Sequence, residues 1–156
     1  MVENQSRATL IVFGVVATII AVGLAVKLRP VTEQVQVTGA KLARVWMQDS
    51  VQRYRQAWLV QGEPEHMLMD GFNLTMTEGG LVSPFTQQGV LDCGYWLAVH
   101  YPQRKIMTNK LIDISGAIKT DRYVCQYTYE NGQSIVVIST ANQLKIDVEM
   151  SAEWFF

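Results

Sequence analysis

Two cysteines, Cys93 and Cys125, and two histidines, His66 and His100, are the residues best suited to redox, metal or nucleophilic chemistry. The cysteines stand 32 positions apart, in LDCGYWLAVHYP and RYVCQYTYE. A thioredoxin-like site needs two thiols separated by only two residues, so this spacing does not fit one. A structural zinc takes four clustered ligands, and neither histidine stands near a cysteine pair. A disulfide or two buried thiols remain, and both stay open because Cys is commonly buried as a small apolar residue. The disulfide is the reading carried forward. Closing that loop stabilises a fold by roughly 3–4 kcal/mol on the chain-entropy argument. It also requires an oxidising compartment.

Other chemistry finds little support. The sequence holds no Gly-rich phosphate loop, no G-x-S-x-G and no H-E-x-x-H. An isolated His is more often a surface or satisfied core residue than a catalyst. Asp147 and Glu149 fall on the exposed face of an alternating segment, and Asp113 and Asp121 have no recognisable partner. The expectation is therefore a protein without catalytic residues, cofactor, metal or small-molecule substrate. From Val31 onward 10 Lys and Arg stand against 13 Asp and Glu, once Arg7, Lys27, Arg29 and Glu3 are set aside. A mildly acidic domain is a poor fit to nucleic acid, which demands a basic face.

The elements that position these residues begin with an apolar run. Ala8 to Val26 is 19 residues without a charge. As a helix it spans roughly 28 Å, close to the hydrocarbon thickness of a bilayer. Arg7 closes one end, Lys27 and Arg29 the other, and Pro30 then interrupts the ladder or starts a new segment. A cleaved signal peptide is the competing reading, with Gly23-Leu24-Ala25 as its cleavage site. The run is longer than a usual signal core, and its leading region carries one Arg beside Glu3, so an anchor fits better. Charge does not orient it, because basic groups flank both ends. The disulfide does, placing the domain outside the cytoplasm.

Val31 to Gln61 has helical character. Val35, Gly39, Leu42, Trp46, Ser50, Tyr54 and Trp58 recur at three- and four-residue steps, forming one stripe expected to pack on the domain's own sheet rather than in a coiled coil. Gly39 is a candidate bend. Gly62 and Pro64 are stop signals. Asp70-Gly71 between Met67–Met69 and Phe72–Met76 predicts a hairpin. Asp92 predicts the cap of a short helix from Cys93 to about Tyr101. Arg122 to Glu130, Gln133 to Thr140 and Leu144 to Met150 predict a three-stranded meander around Asn131-Gly132. Trp154, Phe155 and Phe156 end the chain as a packing or contact patch. The fold class expected is α+β: residues 1–30 as anchor, 31–62 as amphipathic helix and 63–156 as a β-rich domain, with 31–156 one folding unit.

That order of parts resembles type IV pilins. Aligned on Thr9-Leu10-Ile11, Arg7 stands where prepilin peptidase needs Gly, and Val12 where pilins carry Glu. The stretches Tyr54-Arg55-Gln56-Ala57-Trp58-Leu59-Val60-Gln61-Gly62-Glu63-Pro64, Asp92-Cys93-Gly94-Tyr95-Trp96-Leu97, Tyr101-Pro102-Gln103-Arg104 and Tyr123-Val124-Cys125-Gln126-Tyr127-Thr128-Tyr129 are similar, in order, to the MshF family. These are accessory proteins of the mannose-sensitive haemagglutinin (MSHA) type IV pilus. The resemblance implies a non-catalytic role in pilus biogenesis. Its partners would be the inner membrane and other pilus-assembly proteins or pilins, and its domain would be periplasmic. Trp46, Tyr54, Trp58, Trp154, Phe155 and Phe156 form the candidate interaction face. A minor pilin-like subunit and a membrane-tethered periplasmic binding module are the alternatives.

Overall fold

A computed structural model describes residues 2–150, with the side chains of 9–27, 35 and 37–149. Helix α1 runs over Val2–Val60 and continues through Pro30 and Gly39. Contacts divide the chain into residues 1–38 and 39–156. The first unit is helix alone. Its Thr9–Lys27 stretch has a mean hydropathy of 2.7 and none of it is buried, so it is one candidate membrane helix. Within it Thr18 donates its hydroxyl to the Gly14 carbonyl at 2.8 Å, so this polar group is satisfied without water.

The second unit begins at Gly39, eight residues later than the expected boundary at Val31. There α1 buries Ala40, Ala43, Met47, Val51, Tyr54 and Trp58. This stripe keeps Gly39, Tyr54 and Trp58 of the expected one but turns two members outward: Leu42 is 50 % exposed and Trp46 46 %. The cause is close approach. A Cβ on Gly39 would stand 2.8 Å from the Met107 side chain, so only small residues let the helix backbone sit this near its neighbour. Gly39 serves contact, not a bend. The helix stops at Gly62, whose φ of +83° suits glycine.

Strands β1 (His66–Met69) and β2 (Phe72–Thr75) form the expected hairpin, with Met69 opposite Phe72 across Asp70-Gly71. Both turn residues have positive φ, at 52° and 81°, which is what Asp-Gly supplies in a two-residue turn. Met67, Leu74 and Met76 pack with Tyr54, Trp58, Val82 and Val99 in a satellite core. Helix α2 (Cys93–His100) starts at Asp92, whose carboxylate accepts from the Tyr95 N–H at 2.8 Å.

The main sheet is antiparallel, ordered β3-β4-β5-β6-β7. The strands are β3 (Lys105–Ile106), β4 (Asn109–Lys119), β5 (Arg122–Tyr129), β6 (Gln133–Ser139) and β7 (Leu144–Met150). The α+β class and the meander agree with the sequence, and β3 and β4 enlarge it. On β5 Tyr123, Cys125, Tyr127 and Tyr129 all face the core, joined there by Ile135, Val137 and Ile146 and covered by Trp96, Leu97 and Met47. Cys93 and Cys125 are bonded, with Cα atoms 5.6 Å apart, and no described cysteine is free. The bond lies over Gly116 of β4, where a Cβ would stand 2.7 Å from the Cys93 sulfur.

Replacing both cysteines by alanine removes the link and its loop constraint. Denaturation of the full chain followed by tryptophan fluorescence is expected to show a loss of about 3–4 kcal/mol. An unchanged midpoint would contradict a stabilising role for the bond.

Candidate functional site

The densest polar cluster of the second unit forms where α1, α2 and the β1–β2 turn meet. Position 54 of α1 brings the Tyr54 hydroxyl to the Asp70 carboxylate, to which it donates at 2.8 Å. Arg53 donates to the same oxygen at 2.7 Å, with its guanidinium carbon 4.8 Å from the Tyr54 ring centroid. Asp70 is placed there by the left-handed backbone of its own turn. The hydrogen bond from Arg53, and then that from Tyr54, hold the Asp70 carboxyl below its usual range. Burial, reinforced by Asp70, pushes the Tyr54 phenol up to about 12. The Arg53–Asp70 pair is about half exposed, so it orients the turn more than it stabilises the fold.

One helical turn back on α1, Ser50 faces His100 of α2. Ser50 Oγ lies 3.1 Å from His100 Nδ1. The imidazole is 4 % exposed, with the ring centroid of Trp96 at 4.4 Å and that of Tyr54 at 5.4 Å, the latter nearly perpendicular to it. Its Nε2 is buried with no hydrogen-bond partner among the described residues, as is Nε1 of Trp96. Burial, aided by the Arg53 charge, pushes the His100 pKa down to about 3.

Serine beside histidine is the arrangement of a nucleophile and its base. Here the base is mismatched to that task. A general base works best with a pKa near the working pH, and this imidazole resists protonation far below neutrality. The pair is better suited to fixing α1 against α2. Beside it opens a groove of about 590 Å³, lined by Trp46, Arg53, Asp70, Phe72, Tyr101 and Gln103 among others. Trp46 and Tyr101 sit on one wall, ring centroids 6.4 Å apart. The groove thus combines aromatic walls with one ion pair, Arg53–Asp70.

The sequence-derived residues distribute unevenly. Cys93 and Cys125 are buried in the main core. Of the candidate interaction face, Trp46 lies exposed at the groove. Tyr54 and Trp58 turn inward, at 1 % and 7 % exposure. Trp58 donates its indole N–H to the Pro64 carbonyl at 3.0 Å and packs so closely on Gly80 that a Cβ there would meet the ring at 2.4 Å. Trp154, Phe155 and Phe156 lie outside the described residues. Arg53, Asp70, Ser50 and His100 were not singled out as a group. The spacing of Ser50 and Tyr54, and of Trp96 and His100, by four is their only local signal. Among the described residues no three His, Cys, Asp or Glu side chains gather as metal ligands.

No family model matches the sequence, and neither a curated protein nor a solved structure matches it.

The buried imidazole sets an expectation for acid stability. Unfolded, His100 titrates near 6.5; folded, it refuses the proton until about pH 3. The unfolded state therefore binds more protons between those values. Stability is full above pH 6.5 and falls by roughly 1.4 kcal/mol per pH unit as acid is added below it. Asp70, also depressed when folded, adds to the loss in the same direction at lower pH. His100→Phe is expected to flatten the fall in melting temperature between pH 6.5 and 4, read by calorimetry. A slope equal to that of the wild type would refute the assignment.

Proposed function

We propose that this protein is a non-catalytic accessory protein of MSHA-type pilus biogenesis, held in the inner membrane by its apolar helix with its disulfide-bonded domain in the periplasm. The observation that carries the reading is the union of two features in one chain. A 19-residue apolar helical stretch, wholly unburied, precedes a domain cross-linked by a disulfide. The first suits lipid and the second suits an oxidising space. The resemblance to the MshF family adds the pilus to this topology.

The resembling stretches have structural work to do. Tyr54 holds Asp70, Trp58 holds Pro64, and Cys93 and Cys125 hold each other. The groove beside Trp46 is where such a protein would meet another protein. Aromatic side chains flanked by an ion pair are common at contact surfaces.

A second reading has one observation of its own. A single helix of 59 residues, apolar in its first half and followed by an antiparallel sheet, is also the order of parts of a pilin-like subunit. Val12 lacks the carboxylate that pilins carry there, which favours the accessory role.

Deletion of the gene with quantification of surface pili and adhesion tests the proposal. Loss of piliation restored by the wild-type gene is expected, with the protein in the membrane fraction and absent from sheared fibres. Normal piliation would end the accessory reading, and recovery of the protein in purified pili would move the assignment to the fibre subunit.

A further inference from the structure

β4 is the longest strand of the sheet, with 11 residues, and most of its positions are exposed. On its outer side β3 pairs only with Asn109 and Lys110. One further bond joins the Leu111 N–H to the Arg104 carbonyl at 3.3 Å. From Ile112 to Lys119 no described backbone group pairs with the outward side of the strand. Such an edge is a template for another strand unless something blunts it.

The two edges of this sheet differ in that protection. β7 carries Lys145, Asp147 and Glu149, a charge at every second residue. β4 runs Ile114-Ser115-Gly116-Ala117-Ile118 without a charge, and Ile112 and Ile118 are each 61 % exposed. A bulge at Ile112 guards only its beginning. Charges flank the bare stretch on both sides, Asp113 before it and Lys119 after it. Neither has an ion-pair partner among the described residues.

The geometry points to an occupant: β4 of a second copy of this chain, paired antiparallel about a two-fold axis at Gly116. In that register Asp113 lies opposite Lys119 of the second copy, and the symmetry repeats the pair. Ile114 lies opposite Ile118, and Ser115 opposite Ala117. The faces agree. Asp113 and Lys119 share the side of Thr128 and Arg122, whereas Ile114 and Ile118 share the core side with Tyr127 and Tyr123. Sliding the register by two residues either way separates the opposite charges. Cross-strand ion pairs and aliphatic pairs are the contacts that select one alignment. A self-complementary patch of this kind is what a closed dimer requires. The inference does not rest on the pilus reading.

A zero-length carbodiimide cross-link on the purified full-length protein in detergent tests it. Along an extended strand Asp113 and Lys119 of one chain are about 20 Å apart, so an amide between them must join two chains. The expected result is a cross-linked dimer containing that peptide pair. Asp113→Lys or Lys119→Asp alone is expected to raise the dimer dissociation constant about tenfold, and the two together to restore it. Melting temperature serves as the folding control, since both residues are exposed. A monomer at tens of micromolar protein, a dimer cross-linked elsewhere, or charge reversals without effect would each overturn the proposal.

Discussion

The bond between Cys93 and Cys125 is the constraint around which the second unit is arranged. It joins the first turn of α2 to the middle of β5, and both sulfurs lie in the main core. Gly116 of β4 is paired with Cys125, and the absence of a side chain there opens the space the Cys93 sulfur occupies. Tyr127, two residues along β5, donates its hydroxyl to the Cys93 carbonyl at 2.9 Å. Burial raises its phenol pKa well beyond the usual value, so it stays a neutral donor. Covalent link, glycine and tyrosine thus fix α2 over the sheet from three directions. With α2 fixed, Trp96 and His100 point to the side where α1 must lie.

The second dependence is on small residues. Gly39, Ala40 and Ala43 bring α1 into contact with the Ile106–Met107 region, and Gly80 lets the loop after the hairpin lie on the Trp58 ring. These contacts contribute little area for each residue. They permit the larger burials nearby on α1, of Met47, Tyr54 and Trp58, each of which removes far more apolar area from water. This explains why Leu42 and Trp46, larger and more apolar than the alanines, stay outside. A helix turned to bury them would hold its backbone away from the sheet and leave the alanine face over a void.

This preference for proximity over size accounts for what could and could not be read from the chain. The hairpin at Asp70-Gly71, the capped helix at Asp92 and the strands from Arg122 to Met150 were legible, because turn chemistry and alternation are local. β4 was not, because Gly116 and the bulge at Ile112 break its alternation, and the glycine answers to a residue distant in sequence, Cys93. The helical stripe matches at Gly39, Tyr54 and Trp58 and misses by one position at Leu42 and Trp46, since hydropathy weights these above Ala40 and Ala43. The polar cluster was least legible. Ser50 and His100 are 50 positions apart, and Tyr54 and Asp70 are 16. Each looks ordinary alone, and only packing makes them partners.

The same packing limits what the cluster can do. His100 sits where its charge would be expensive, and Arg53 adds to that cost from one side. An imidazole in that setting resists protonation near neutral pH. A neutral ring suits the close packing of Trp96 and Tyr54 against it. The polar groups that remain accessible, Arg53 and Asp70, are already paired with each other. Open to solvent elsewhere on the second unit are the Trp46 groove, a cleft lined by His66, Asn73, Asp92 and Tyr95 among others, and the uncharged edge of β4. The aromatic wall of that groove and the unpaired edge of β4 have the character of contact surfaces. The disulfide ties α2, which forms part of the groove wall, to the sheet that carries that edge.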